Sequence, residues 1–482
     1  MRRSSIGTAS RARVSAIVVS YNSARDIAAC LASLQASSPG PDQIIMVDNH
    51  SQDGTPDMVR SRFPDVVVLD YWDNPGFAQG NNRAFRVATG DYYFLLNPDA
   101  SVAVDALPRL VQALEDRPDA AVAIPKVLLA REPNIINSAG LSMNELGWAW
   151  DRGYLEWDRG QYDRGGLLIA GSGCAMLLRS SLVADVGEFD SKYFLYYEDL
   201  DFCLRARLRG YGVLYVPEAV VKHSMKVSGR PLLYNEYLDH RNRLRTTLKV
   251  WSAGRLARVL PRAVALDVMS IVGLAMAGRF HAATLRLQAW VWNVVHLRST
   301  RHQRSLSQRR RRIPDRLLEE LMVGGDGAPR LNAALPGYPE MYDDSAISAP
   351  LDRRLTMGQN DVGLLGLGWY DLETDGGMTY RWSCDYGIVF LRQTVPSGRS
   401  AVVIVCRSPI ASTIAVRFNR RSHAEFTVPA DSWTECSLTV DLDSELVRLE
   451  LFPQKVFVPA ETMPGSRDHR VLGLAVSRIE LR

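Results

Sequence analysis

The sequence predicts an α/β fold in its first half, a mixed sheet with flanking helices, followed by an amphipathic helical segment and a C-terminal β-sandwich. Three observations lead there. Apolar runs rich in β-branched residues end in polar side chains at Ser20-Tyr21-Asn22, at Asp48-Asn49 and at Asn97-Pro98-Asp99, as buried parallel strands do when they deliver ligand-binding groups at their carboxyl ends. Helical spacing from Ile27 to Leu34 follows the first of these runs. From about residue 361 onward, short alternating segments recur between turns.

Val14 to Asn22 reads as the first buried strand and Gln43 to Gly54 as the second, with Asp48, Asn49, Ser51 and Asp53 at its exit; Tyr92 to Asp99 is a third strand that delivers a carboxylate. Between the last two lies Asn74-Pro-Gly-Phe-Ala-Gln-Gly-Asn-Asn-Arg83. Its glycines let backbone amides approach a ligand, and a helix start with Arg83 offers positive potential to an anionic group. The same segment would also serve as an ordinary strand-to-helix connection.

The densest chemistry is Tyr196-Tyr-Glu-Asp-Leu-Asp-Phe-Cys-Leu-Arg205, three carboxylates within four residues. If they open a helix, its dipole eases their repulsion, yet one of them keeps a raised pKa and is suited to act as a general base. The alternative is an acidic helix start capped by its own carboxylates.

As an ordered set, Ser20-Tyr21-Asn22, Asp48-Asn49-x-Ser51-x-Asp53-Gly54, Asn74-x-Gly76-Phe77-Ala78-x-Gly80-x-Asn82, Leu96-Asn97-Pro98-Asp99, Gly171-Ser-Gly-Cys-Ala-Met-Leu-Leu-Arg179, Gly187-x-Phe189-Asp190 and Glu198-Asp199-x-Asp201-x-Cys203-x-Arg205 resemble glycosyltransferase family 2 over roughly residues 12–250. These are inverting enzymes of the GT-A fold that use nucleotide-sugars. The subgroup most similar comprises bacterial rhamnosyltransferases and galactofuranosyltransferases of cell-surface glycan synthesis. The resemblance implies Asp199 as the base that deprotonates the acceptor hydroxyl, with Glu198 and Asp201 positioning the acceptor or capping the helix. It implies a pyrimidine and ribose pocket at Ser20, Tyr21, Asn22, Asp48, Asn49 and Asp53, and donor contacts at Gly76, Asn82, Arg83, Asn97, Gly173 and Arg205. It further implies Asp99 and His223 as ligands of Mg²⁺ or Mn²⁺, although Asn97-Pro98-Asp99 lacks the first carboxylate of the family's metal motif. Trp148 to Trp157, aromatic and charged at once, suits a sugar-binding wall or a loop anchored by tryptophans.

Gly254 to Arg298 is amphipathic, and Asp267 and Arg279 leave its uncharged stretch short of the ~20 residues of a spanning helix. Six arginines follow within Arg301 to Arg312. Apolar helices bearing Trp290 and Trp292 beside a polybasic run read as a peripheral anchor for an anionic membrane surface; the alternative is a helical bundle packed on the catalytic domain. The chain of 482 residues is 46% hydrophobic with a net charge of only +4, and no aromatic recognition platform accompanies the arginines, so nucleic acid is excluded as a partner.

The expected organisation is 1–12 disordered, 13–250 the GT-A domain, 251–325 the helical segment with its basic run, 326–360 a linker, and 361–482 the sandwich. Within the last span, Gly368-Trp-Tyr370, Glu373, Tyr380-Arg-Trp382 and Asp468-His-Arg-Val-Leu-Gly473 resemble an accessory domain attached to some bacterial glycosyltransferases. Two roles stand side by side for it, glycan binding and self-association into a homo-oligomer. Six unpaired cysteines and an N-terminus without an apolar core region point to a cytoplasmic protein on the inner face of the plasma membrane. The expected activity is transfer of L-rhamnose from dTDP-rhamnose to a lipid-linked or polysaccharide acceptor. Galactofuranose from UDP-galactofuranose is the second candidate, and an inactive glycan-binding scaffold the alternative class.

Overall fold

The computed structural model describes residues 11–225, 232–322 and 353–482, the last apart from 362–363, 394–397, 420–421, 443–445, 463–465, 467 and 469. Residues 1–10, most of the expected linker and His469 thus lie outside the described residues. The chain divides into two compact units, 1–328 and 329–482.

In the first unit the elements run β1 (Val14–Ser20), α1 (Ile27–Ala36), β2 (Gln43–Asn49), α2 (Thr55–Arg62), β3 (Val67–Tyr71), α3 (Gly76–Phe85), β4 (Tyr92–Leu96), β5 (Ala100–Val102), α4 (Ala106–Asp116), β6 (Ala120–Leu129), β7 (Ile136–Ser138), β8 (Leu141–Met143), β9 (Ala149–Asp151), β10 (Gly166–Leu167), β11 (Ala175–Arg179), α5 (Ser180–Val186), α6 (Glu198–Leu208) and β12 (Gly212–His223). The sheet order is β10-β12-β6-β11-β4-β1-β2-β3. β1 pairs in parallel with β2 and β4, whereas β11 runs antiparallel to β4 and β6. Period-two alternation divides the core. Ile17, Val19, Ile45, Val47 and Leu95 pack on one side of the sheet, and Ala16, Val18, Ile44, Met46, Phe94 and Leu96 on the other. Both faces are covered, so these strands read as continuous apolar runs. The parallel strands therefore release their polar residues along one edge.

Five helices complete this unit: α7 (Leu232–Val250), α8 (Ala253–Met276), α9 (Phe280–Val295), α10 (Leu297–Arg309) and α11 (Asp315–Glu319). The Ser252 hydroxyl accepts from the Arg255 amide and starts α8. The expected single amphipathic stretch is thus a helical hairpin, α8–α9, whose chain then returns onto α7: Asn293 donates to the Arg241 carbonyl, and Arg304 to the carbonyls of Leu248 and Trp251.

One expectation for this segment, that its tryptophans mark the membrane face, is corrected, and one observation is added. By length and composition alone α8 is apolar enough to cross a membrane, and the acid that interrupts its apolar run, Asp267, is turned inward and paired with Arg243 at 2.5 Å. The tryptophans do not mark the outer face. Trp290 donates its indole N–H to Asp267, while Trp292 stacks on His296 and lies under the Arg241 guanidinium. The residues left exposed are Leu266, Val268, Met269, Val272, Met276, Phe280, Leu287, Val291, Val294 and Val295. Part of the arginine run is structural as well: Arg311 pairs with Asp315, and Arg310 donates to the Asp185 carbonyl.

The second unit is a pair of antiparallel sheets. One is ordered β14 (Trp369–Asp375), β15 (Met378–Ser383), β22 (Ala475–Leu481), β17 (Gly398–Arg407) and β20 (Thr434–Leu442), with β13 (Arg354–Thr356) added on β22. The other is β16 (Gly387–Arg392), β21 (Leu446–Pro453), β18 (Ser412–Phe418) and β19 (Ser422–Val428). Val402, Ile404 and Ile479 of the first sheet share a core with Leu391, Val416 and Leu449 of the second. β13 lies inside the span expected to be linker, where only three residues alternate and the pairing with β22 supplies the rest of the signal.

Candidate active site

The acidic cluster opens α6, and the approach to it is strained. Phe194, Tyr196 and Tyr197 hold positive φ of 68°, 66° and 70°, an unfavourable conformation for aromatic side chains. Asn242 of α7 restrains this loop by donating to the carbonyls of Tyr193, Leu195 and Tyr196. Gly76 completes the fit, because at its φ of 86° a Cβ would stand 2.2 Å from the Phe194 carbonyl oxygen.

Glu198 and Asp199 then diverge. Glu198 is buried, its Oε2 has no hydrogen-bond partner, and burial together with the neighbouring Asp199 charge raises its pKa well above the carboxylate range. Asp199 is half-buried; its Oδ2 accepts from the Gly173 amide and its Oδ1 from the Leu200 amide, each at 2.7 Å. Burial raises its pKa against those two hydrogen bonds.

Gly173 adjoins Cys174, whose carbonyl accepts from the Asn97 amide at 2.8 Å. A two-residue bridge thus joins the base side to Asp99. There the Asp99 Oδ1 lies 3.1 Å from His223 Nε2, the Asn97 side-chain amide stands 3.4 Å from the same nitrogen, and Asn137 Oδ1 holds His223 Nδ1 at 2.8 Å. With Nδ1–H donating to Asn137, Nε2 turns a lone pair toward a carboxylate, and two acceptors at that distance need a proton or a cation between them. Burial opposes charge on His223, but Cys174 and Asp99 beside it prevail and raise its pKa well above the ordinary value. The pair fits a hard divalent cation that takes its other oxygens from a diphosphate and water. Among the described residues no group of three or more His, Cys, Asp or Glu side chains is arranged to hold a metal.

On the nucleotide side, Tyr21 is exposed and Ser20 buried with an unpartnered hydroxyl. Asn22 bridges to the β2–α2 loop through Ser51 and Gln52. Asp48 has no exposed surface, and both its oxygens are engaged by Ser51. Asn49 donates to the Gly76 carbonyl and leaves its Oδ1 orphaned. Arg83 pairs with Asp73 and stacks on Tyr71.

Four of the expected ligand-contact residues have partners within the fold. Asp53 accepts from Ala24 and Thr55; Asn82 clasps the Phe189 backbone through both ends of its amide. Asp201 and Arg205 are 2% and 8% exposed and belong to a buried ion network with Asp190, Arg245 and Lys249. The physical reason is helical phase: Asp199 and Asp201, two residues apart, point about 200° away from each other. Trp157 is likewise core, while Trp148 stands edge-on to His240 with Arg243 over its ring.

Two residues of the site escape sequence reading. Asn137 of β7 orients His223. Asp151 of β9 has a buried Oδ1 without a partner. Burial pushes its pKa up to about 6 against the Ser138 hydrogen bond, Asp199 adds to the rise, and His223 opposes it. Both sit on three-residue strands, too short for a periodic signal.

The described part of the first unit is thus a mixed α/β sheet with carboxylates gathered along its carboxyl edge. Residues 15–184 match the family model Glycosyl transferase family 2, and this part of the chain is a domain of that family. An N-acetylglucosaminyl-diphospho-decaprenol L-rhamnosyltransferase of Mycobacterium tuberculosis is 27% identical over 43% of this chain and 74% of its own. The low-salt glycan biosynthesis hexosyltransferase Agl10 of Haloferax volcanii is 24% identical over 50% of this chain and 76% of its own. Among solved structures, that of GalNAc-T7 with UDP, GalNAc and Mn²⁺ aligns with a TM-score of 0.43 at 15% identity, over 53% of this chain and 51% of that one.

Proposed function

We propose that the first unit transfers a sugar, with inversion, from a nucleotide-sugar to a hydroxyl of a lipid-linked or polysaccharide acceptor, with dTDP-rhamnose as donor. The observation that carries this reading is the Gly173–Cys174 bridge, which sets the Asp199 carboxylate on one side and the Asp99–His223 pair on the other. Asp199 receives the proton of the attacking hydroxyl; being half-open to solvent, it suits this better than buried Glu198. Asp99 and His223 would hold the divalent cation, which when bound neutralises charge on the diphosphate leaving group. The choice of rhamnose rests on the likeness to the mycobacterial L-rhamnosyltransferase.

We further propose that the α8–α9 hairpin seats the enzyme on the inner face of an anionic membrane, a reading supported by its exposed apolar tip and its excess of arginine. From Val268 to Met276 no residue is buried or charged. α8, α9, α10 and the turn between α8 and α9 together carry Arg255, Arg258, Arg262, Arg279, Arg286, Arg298, Arg301, Arg304 and Arg309 against one acid, the inward-facing Asp267. Because α9 and α10 return to pack on α7, the hairpin begins and ends on the side of the catalytic sheet. Its tip therefore enters one leaflet.

The test is transfer by the purified protein from dTDP-rhamnose and from UDP-galactofuranose, with Mn²⁺ and a polyprenyl-diphosphate-linked N-acetylglucosamine acceptor, reading the anomeric configuration of the product by NMR. Inverted rhamnoside is expected, and Asp199→Asn should lower kcat about 10²–10⁴-fold with nucleotide affinity kept. Retained configuration, or full activity of Asp199→Asn, overturns the reading.

A further inference from the structure

The orphaned oxygen of Asp151 is a carboxylate acceptor, buried at the active site and left without a donor by the protein. A buried acceptor without a partner costs free energy unless a ligand supplies the hydrogen bond. The surroundings narrow what that ligand group is. Asp199 and His223 lie near enough for their charges to act on Asp151, and Ser138, its hydrogen-bonding neighbour, follows directly on Asn137, which grips His223. On the other side, the Tyr197 hydroxyl, immediately before Glu198, meets the Ala149 amide of β9 at 3.3 Å and the Gly147 carbonyl at 3.1 Å. Asp151 is thus tied to both the leaving-group side and the base side. In an in-line transfer the sugar in flight lies between those two sides, whereas the acceptor reaches only the base. Away from the cation that Asp99 and His223 would hold, the carboxylates Asp151 and Asp199 disfavour an anionic ligand group, and a hexose offers neutral O–H donors there.

We infer that Asp151 is a specificity-determining residue that accepts a hydrogen bond from one ring hydroxyl of the transferred hexose. The inference rests on the glycosyl-transfer reading above. It takes the hydroxyl as donor and the carboxylate as acceptor, with no change of bonding in Asp151 during the reaction.

The experiment compares dTDP-rhamnose with its singly deoxygenated analogues in the full-length wild type and in Asp151→Ala, reading kcat/KM for each. In the wild type, removal of the hydroxyl that Asp151 reads should lower kcat/KM about 10- to 150-fold, the usual range for a hydrogen bond to a charged group. In Asp151→Ala the same removal should cost less than about 3-fold, since the two changes delete one interaction. Binding of dTDP alone should match wild type, which reports the fold; should Asp151→Ala fail that check, Asp151→Asn takes its place and should show a reduced but measurable penalty. Equal penalties in wild type and variant at every ring position overturn the inference while leaving glycosyl transfer standing. Absence of transfer by the wild type from every donor overturns both.

Discussion

Replacing Asp201 by asparagine should destabilise the protein without changing donor recognition. Asp201 accepts from Lys249 Nζ at 2.6 Å, from Arg205 Nε at 2.9 Å and from the Tyr193 hydroxyl at 3.2 Å. Asp190 takes Arg245 and Lys249, each at 2.8 Å. Three cations therefore face two acids, a surplus of one positive charge, and the substitution makes it two with Arg205 and Lys249 still buried. Removing one partner of a buried pair costs about 3–5 kcal/mol, because the remaining charge stays desolvated. At about 2–4 °C per kcal/mol for a unit of this size, the melting temperature of the catalytic unit should fall by about 6–20 °C. Differential scanning calorimetry, with donor KM measured well below the transition, checks both halves. A shift below about 2 °C, or an unchanged melting temperature with a raised donor KM, would refute the reasoning and return Asp201 to the substrate.

Glu198→Gln should stabilise the protein increasingly as pH rises. A carboxyl whose folded pKa is raised contributes stability at low pH that is lost as pH climbs through the folded value, and glutamine has no such loss; a difference in melting temperature between variant and wild type that does not grow from pH 5 to 8.5 would contradict this. Asp99→Ala and His223→Ala should each weaken Mn²⁺-dependent dTDP binding by at least about 10-fold while sparing metal-free binding, and calorimetry in the presence and absence of chelator separates the two. Replacing Met269, Val272 and Met276 together by serine should release the protein from anionic vesicles at physiological salt, with activity on a soluble acceptor unchanged, and equal co-sedimentation of variant and wild type would remove the hairpin from the membrane. Arg309 and Arg312 to serine should weaken sedimentation chiefly at low salt, since exposed charges are screened beyond ~8 Å at physiological ionic strength.

Much of this protein is legible in one dimension. Runs such as Val14 to Ser20 and Gln43 to Asn49 are apolar because both faces of their sheet are covered, and their polar ends mark the binding edge. Asp99 and Asn97 follow from that rule, and Glu198 to Asp201 from charge density alone. Trp290 and Trp292 show where the pattern misleads. They lie on the same helix as the exposed apolar residues, yet the buried Asp267 and the Arg241 guanidinium draw them inward, and no spacing reports a partner 23 or 51 residues away.

The sequence by itself determined the class of the catalytic unit, the strands that bear its site and the second, β-rich unit, because burial on a sheet or helix imposes periods that a linear reading detects. Tertiary structure alone decided which carboxylate faces the site. Asp199 meets Gly173, Glu198 is buried, and Asp201 turns to Lys249, since a helix rotates each residue by about 100° and only the packed neighbours say which direction is inward. It also brought Asn137 and Asp151 beside His223 and Asp199 from strands three residues long. Contacts across 48 or 86 positions of the chain depend on how the sheet closes, which no local pattern carries.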